Sequence, residues 1–367
     1  MAKSDVFFTD FHTTTGTSLL QKLERLVCRA GFEKIEFKNK YAALKIHFGE
    51  RGNLAYLRPN YAKVFVDLVQ RNGGKAFLTD CNTLYVGGRK NALDHLETAY
   101  ENGFNPFATG CHILIADGLK GTDEQLISIQ GEYIKEAKIG RAIADADVLI
   151  TLTHFKLHEC AGIGGVLKNI GMGCGSRAGK MEMHSSGKPQ VDRSQCVHCG
   201  SCLKNCAHQA ISMDGGKAKI DPQKCVGCGR CIGVCPVDAI CPAFDEAFNV
   251  LNKKIAEYSL AAVKDKTHFH VSFVMDVSPF CDCHGENDVP IVPNVGILAS
   301  FDPVALDLAC ADLVNKQPIV QNSLLEKVPL NKDYFYSVHP STDWRVLIDH
   351  AVKIGLGNDE YDLIKIS

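Results

Sequence analysis

The sequence predicts an α/β protein: a mostly parallel sheet with helices on both faces, interrupted partway along by a cysteine-rich insertion. Three observations predict it. Short apolar runs alternate with amphipathic stretches before residue 155, the alternation resumes after about residue 244, and between the two lie eight cysteines in two copies of one spacing.

Taken in order, "YAALKIHF" (41–48) reads as a buried strand, and "RPNYAKVFVDLVQRNGG" as a helix. Pro59 lies near its first turn, Val64, Phe65, Leu68 and Val69 form an apolar stripe, and Gly73 and Gly74 stop it. "KAFLTD", "CHILIAD" and "ADVLITLTHF" are further strands, with "GGRKNALDHLETAYENGF" and "YIKEAKIGRAIADA" as helices between them. Beyond the cysteines come a long helix from about 244 to 264, the strands "HFHVSFVMDV" and "VGILAS", and a helix opened by Asp302 and Pro303. That last stretch is too short for a sheet of its own, so it should complete the first one. The expected division is residues 1–186 and 244–367 as two parts of one α/β domain, with 187–243 inserted.

The net charge of −2 argues against a nucleic-acid partner, because phosphate binding would show as a clustered basic excess. No uncharged apolar run approaches membrane-spanning length, and the N-terminus has no signal-peptide core. A soluble cytoplasmic protein is expected. There, seventeen cysteines should be metal ligands or buried thiols, not disulfides.

The doubled run is C-x2-C-x2-C-x3-C: Cys196, Cys199, Cys202 and Cys206, then Cys225, Cys228, Cys231 and Cys235. That spacing wraps three thiolates around one [4Fe–4S] cluster and sends the fourth to the other. Cys196, Cys199, Cys202 and Cys235 would hold the first cluster, and Cys225, Cys228, Cys231 and Cys206 the second. Zinc is disfavoured, since its ligands come in separated C-x2-C pairs. Residues 189–243 resemble the bacterial dicluster ferredoxins, which implies an α+β insertion. Pro236 follows the last cysteine as in that family, whereas Ala207 replaces the proline of the first copy without removing a ligand.

The whole chain resembles the prokaryotic domain-of-unknown-function family 362. The likeness rests on "KIHFGE", "LRP", "FLTDCNTLYVGGRKNALDHLETA", "HFKLHECAGIGGVLKNIGMGCGSRAGK" and "DVSPFCDCHGENDVPIVPNVGILASFDPVALD". A remoter resemblance is to the nickel-pincer lactate racemases, in His158 and Lys168 flanking "AGIGG" and in Arg58–Pro59 opening a helix. It implies a proton-transfer base at His158, an anion-binding cation at Lys168 and a substrate contact at Arg58. Racemisation has no need of two iron–sulfur clusters and is not carried over.

Functional loops of open parallel sheets follow the carboxyl ends of strands. "HFGE", "TDCNTLYVGGR", "THFKLHEC" and "SPFCDCHG" all sit there, and should converge on one cleft. Cys281 and Cys283, beside Asp282 and His284, suit a metal or a redox thiol pair, with a packed loop as the alternative. His154 and His158 would chelate one ion if helical and would diverge if His154 ends a strand. Cys174 joins these as a possible metal ligand. Asp80 and Arg177 could bind substrate, Arg177 through a carboxylate or phosphate, and Asp80 could instead cap a turn. The five glycines of "HFKLHECAGIGGVLKNIGMGC" would let a ligand come close. Cys28, Cys111, Cys241 and Cys310 should be structural.

These features point to an oxidoreductase passing electrons through two [4Fe–4S] clusters to or from a substrate or metal in the cleft. An external electron donor or acceptor protein and a small anionic substrate are the expected partners. The alternative is a non-catalytic electron-transfer or metallocofactor-assembly protein. No G-x-G-x-x-G follows a predicted strand, which weakens a nicotinamide site, while flavin has no short signature and stays open.

Overall fold

The computed structural model describes residues 3–84, 87–184, 188–243 and 247–366. Eight strands form the central sheet: β1 (Ser4–Thr9), β2 (Tyr41–Ile46), β3 (Lys75–Asp80), β4 (His112–Ile115), β5 (Val148–His154), β6 (Thr267–Val274), β7 (Gly296–Ser300) and β8 (Tyr361–Lys365). Their order is β8-β1-β7-β6-β5-β2-β3-β4. Only β7 runs against its neighbours; every other pair is parallel. Strands from before and after the cysteine-rich segment are therefore direct neighbours, with Ile150 of β5 beside Phe269 of β6 on one side and Leu44 of β2 on the other.

Alternate residues of each strand feed opposite faces. Ala42, Leu44, Ile150 and Phe269 point to one core, under helices α1 (Leu19–Arg29) and α2 (Pro59–Arg71). Its aromatic centre includes Phe32, packed edge-on against Phe269 at 5.3 Å and against Phe65 at 5.9 Å. Ala43, Leu149 and Leu298 point to the other core. That face carries α3 (Val166–Cys174), α4 (Arg177–His184), α5 (Phe248–Val263), α6 (Pro303–Asn315) and α7 (Arg345–Lys353). Asp302 caps α6 by accepting from the N–H groups of Val304 and Ala305, with Pro303 in the first turn, as the sequence indicates.

One expected helix is not formed. Within 133–146 the chain makes a strand, Glu136–Gly140, paired antiparallel with Glu124–Ser128, and only then a short helix, Arg141–Asp145. The buried Glu257 carboxylate accepts from the backbone N–H groups of Glu132, Tyr133 and Ile134, at 2.7 Å for the first and last, and so fixes the chain just before the strand. Ala137 and Ile139 then go inward with Lys138 between them, a period of two.

Residues 188–243 make a small unit of their own. Helices Ser201–Asn205 and Arg230–Gly233 each follow a left-handed glycine, Gly200 and Gly229. Two short antiparallel pairs complete it, Pro189–Val191 with Ile240–Pro242 and Ile211–Asp214 with Lys217–Ile220. Its apolar centre includes Leu84 and, from α4, Met181, so the unit is docked on the sheet domain. The junctions expected at 186/187 and 243/244 involve residues outside the described ones.

Candidate functional site

The loops following β2, β3, β5 and β6 meet over the carboxyl edge of the sheet. Backbone bonds tie them together: Glu50 N–H donates to the Asp282 carbonyl at 2.9 Å, and Leu157 N–H to that of Ser278 at 3.1 Å. Arg89 Nη2 reaches the Cys283 carbonyl at 3.4 Å. The cleft so formed is lined from all four loops, by His47, Asp80, Arg89, His154, Lys156, Cys281 and Cys283, with Lys168 from α3 and Lys180 from α4 closing one side.

Its charges are buried and mostly paired. Lys45, on the α3-facing side of β2, lies 3.0 Å from Asp80 and donates to Asn169 Oδ1 at 2.7 Å. Arg89 pairs with Glu50 at 3.0 Å, and Asp282 with His154 at 2.8 Å and Lys156 at 3.1 Å. Burial alone would raise both aspartates. The cations beside them prevail, Lys45 at Asp80 and His154 with Lys156 at Asp282, and hold both carboxyls well below the ordinary range. For His47, burial and the Arg89 guanidinium push the ring well below its usual value.

The structure brings four of the sequence-selected residues together. A nitrogen of His158 and the sulfurs of Cys281 and Cys283 lie within 4.8 Å of one another. Lys168 Nζ is 3.6 Å from Cys281 Sγ, which also accepts the Cys283 N–H at 3.4 Å. A hydrogen bond from Cys283 leads the effects that draw the Cys281 thiol well below its usual value; Lys168 and His158 add to it against the cost of burial. Cys283, as the donor to a thiolate, is raised correspondingly. Burial disfavours the Lys168 ammonium, but the neighbouring cysteine and Glu159 charges outweigh it and raise its pKa.

This pocket does not have the surroundings of a metal ligand set. A coordinating imidazole normally donates its second N–H to an acceptor. His158 Nδ1 instead accepts from the N–H groups of Cys160 and Ala161, at 3.1 and 3.3 Å, which puts the proton on Nε2. His154, the last residue of β5, does not converge with it. Its Nδ1 faces Asp282 and its Nε2 the Met275 carbonyl at 2.8 Å, so neither nitrogen is left for an ion. His284 is turned outward onto Glu159 at 2.6 Å, and Cys174 is fully buried, its thiol pushed up to about 11 by that burial. Glu159, Cys283 and His284 do form a second close group at the cleft rim.

Gly164, Gly165 and Gly173 line the cleft, and the glycines of residues 154–174 also let protein groups pack closely. Gly165 lies on the Asp307 carboxylate, which accepts from Val166 and Leu167 N–H at 2.6 and 2.9 Å and so occupies the start of α3. Gly171 lies on the Ile255 carbonyl of α5, and Gly173 leaves room for Lys45.

Two expected substrate contacts lie elsewhere. Arg58 is exposed at the N-cap of α2 and does not line the cleft. Arg177 is fully buried against Gly229 and Gly233 of the cysteine-rich unit, donating to the Lys90 carbonyl, so it joins the two parts of the molecule. Asp80 does line the cleft but is held by Lys45. Sequence reasoning missed Lys45, Lys156 and Lys180, and placed Asp282 beside the cysteine pair without its partners His154 and Lys156. Lys45 carried a usable signal, a lone charge inside an apolar strand, since a buried lysine needs a partner nearby.

Within the cysteine-rich unit two cavities appear. Cys196, Cys199, Cys202 and Cys235 line one, together with Gly200, Ala218 and Ile240. Cys206, Cys225, Cys228 and Cys231 line the other. Backbone N–H groups already point at the sulfurs, Ala218 to Cys196, Ala210 to Cys206 and Gly227 to Cys225, each at 3.4 Å.

Residues 42–312 match the family described as a domain of unknown function, DUF362, and the chain belongs to that family. No curated protein matches. Among solved structures it is similar to the lactate racemase apoprotein from Thermoanaerobacterium thermosaccharolyticum, at 14% identity and TM-score 0.35 over 74% of this chain. It is also similar to a protein from Thermotoga maritima, at 12% identity and TM-score 0.41 over 79% of this chain. The chain spans 51% and 57% of those two structures. Among the described residues no helix is long and apolar enough to cross a membrane.

Proposed function

We propose that this chain is an iron–sulfur oxidoreductase. Residues 187–243 act as an inserted dicluster ferredoxin domain, and the cleft over the sheet is where its electrons are used or collected. The supporting observation is the composition of the two cavities: each takes three cysteines of one run and the fourth of the other, the exchange that the spacing requires of paired [4Fe–4S] sites. Apolar side chains and inward N–H groups around the sulfurs suit clusters, whose potentials depend on burial and hydrogen bonding. Helix α4 supports coupling to the cleft, because Lys180 lines the cleft while Arg177 and Met181 of the same helix meet the cysteine-rich unit. An external redox protein would supply or remove the electrons.

Anaerobic reconstitution should give about eight iron and eight sulfide per chain, and Cys231→Ser should leave about four. Iron near half the first figure in the unmodified chain, or zinc in its place, would reject the reading.

Lys168 and Lys180 would receive a small anionic substrate, since neither has a carboxylate within ion-pair distance among the described residues, whereas Lys45, Lys156 and Arg89 do. Lys168→Ala is expected to weaken anion binding about tenfold or more while leaving cluster spectra unchanged, in keeping with the 1.5–3 kcal/mol of a charged hydrogen bond. Calorimetric titration with small carboxylates and phosphates measures it. The reading as a metallocofactor-assembly protein fits less well, because His158 and Lys168 surround the cysteine pair with donors.

A further inference from the structure

We infer that Cys281 and Cys283 form a redox-active dithiol that takes a disulfide as its substrate, with Cys281 attacking and Cys283 resolving. The geometry carries this. Both sulfurs line the cleft and lie within 4.8 Å of each other. Only Asp282 separates them, in a turn closed by His284 N–H donating to the Cys281 carbonyl at 3.2 Å. With Cα atoms about 3.8 Å apart along the chain, residues one apart lie roughly 5–7 Å from each other, the span a disulfide uses.

The two sulfurs are also unequal in the way exchange chemistry needs. Cys281 faces three donors: the Lys168 ammonium, the His158 ring and the Cys283 N–H. Cations and hydrogen bonds favour a thiolate, the attacking species. Cys283 keeps its proton until the second step. In the first step the Cys281 thiolate bonds to one sulfur of the substrate disulfide and the other sulfur leaves as a thiolate. In the second, Cys283 gives its proton to that departing thiolate and bonds to Cys281, expelling the remaining half of the substrate. The substrate gains two electrons and the protein holds a disulfide. Reopening it consumes two electrons, one from each of two single-electron centres; only this regeneration rests on the function proposed above.

The full-length reconstituted protein, with its iron measured, is mixed anaerobically with oxidised glutathione, a small anionic disulfide, then alkylated and mapped by peptide mass. The expected result is a Cys281–Cys283 disulfide with about two reduced glutathiones released per chain. Cys283→Ser should trap glutathione on Cys281, and Cys281→Ser should leave Cys283 unmodified. If both clusters load and both sulfurs stay alkylatable, or if Cys281 instead bonds the neighbouring Cys160, the inference is wrong while the cluster reading stands. If iron is low yet the 281–283 bond forms, the reverse holds.

Discussion

Replacing Asp282 with Ala is expected to lower the free energy of unfolding by about 3–5 kcal/mol, because it strands the buried Lys156 ammonium and leaves His154 Nδ1 without its partner. The carboxylate, from the loop after β6, is fully buried between His154 at the end of the neighbouring parallel strand β5 and Lys156 just beyond it, both nearly inaccessible. Guanidinium titration at pH 7 measures the loss, and an unchanged midpoint would mean that the pair contributes nothing. The pH dependence has a definite sign. The folded carboxyl lies below its unfolded value of about 3.9, so its stabilisation is complete above that value and is lost as the pH falls toward the folded one. The unmodified protein should lose stability below about pH 4, and the variant should lack that component.

Gly171→Ala should cost about 1–3 kcal/mol although it adds a single methyl group. A Cβ at 171 would press on the Ile255 carbonyl of α5 and come within 2.7 Å of Ser259 Oγ. Ser259 is itself fixed, its hydroxyl lying 2.8 Å from the carbonyls of both Leu167 and Ile255 and donating its one proton between them. Rotating a side chain gives no relief, since the obstacle is backbone; α3 and α5 must move apart, and α3 carries Lys168. The same variant should therefore lose anion affinity in the cleft as well as stability. Wild-type unfolding and binding together would show that the helices yield more easily than their contact indicates.

The strands were legible because burial on both faces leaves little choice of residue: "KAFLTD" forms a strand over its six residues, and Asp302 with Pro303 starts a helix where the sequence places it. The meeting of His158 with Cys281 and Cys283 was legible for a topological reason, in that parallel strand ends share an edge whatever their separation along the chain. The strand at 136–140 was hidden, since the carboxylate that fixes the chain before it comes from Glu257, far away in sequence. Arg177 was misplaced for a similar reason. A guanidinium suits an anion and a domain junction equally, and the junction is set by Gly229 and Gly233 of another unit. Gly171 was not separable in sequence from its cleft-lining neighbours Gly164, Gly165 and Gly173, because helix-to-helix approach and ligand approach both demand a missing side chain.

The adjacency of β5 and β6 has a consequence for how the molecule is made. On the ribosome, β5 is complete more than a hundred residues before β6 emerges, yet all seven of its residues are buried in the finished sheet. Until then it is an apolar edge strand, the kind that pairs with other chains. Contacts this distant in sequence also form slowly. The cysteine-rich segment is synthesised during that interval, so its folding competes with aggregation of a half-built sheet. A chain cut after residue 243 should be insoluble even if its cysteine-rich unit folds, and chaperone demand in the cell should be set by the wait for a single strand.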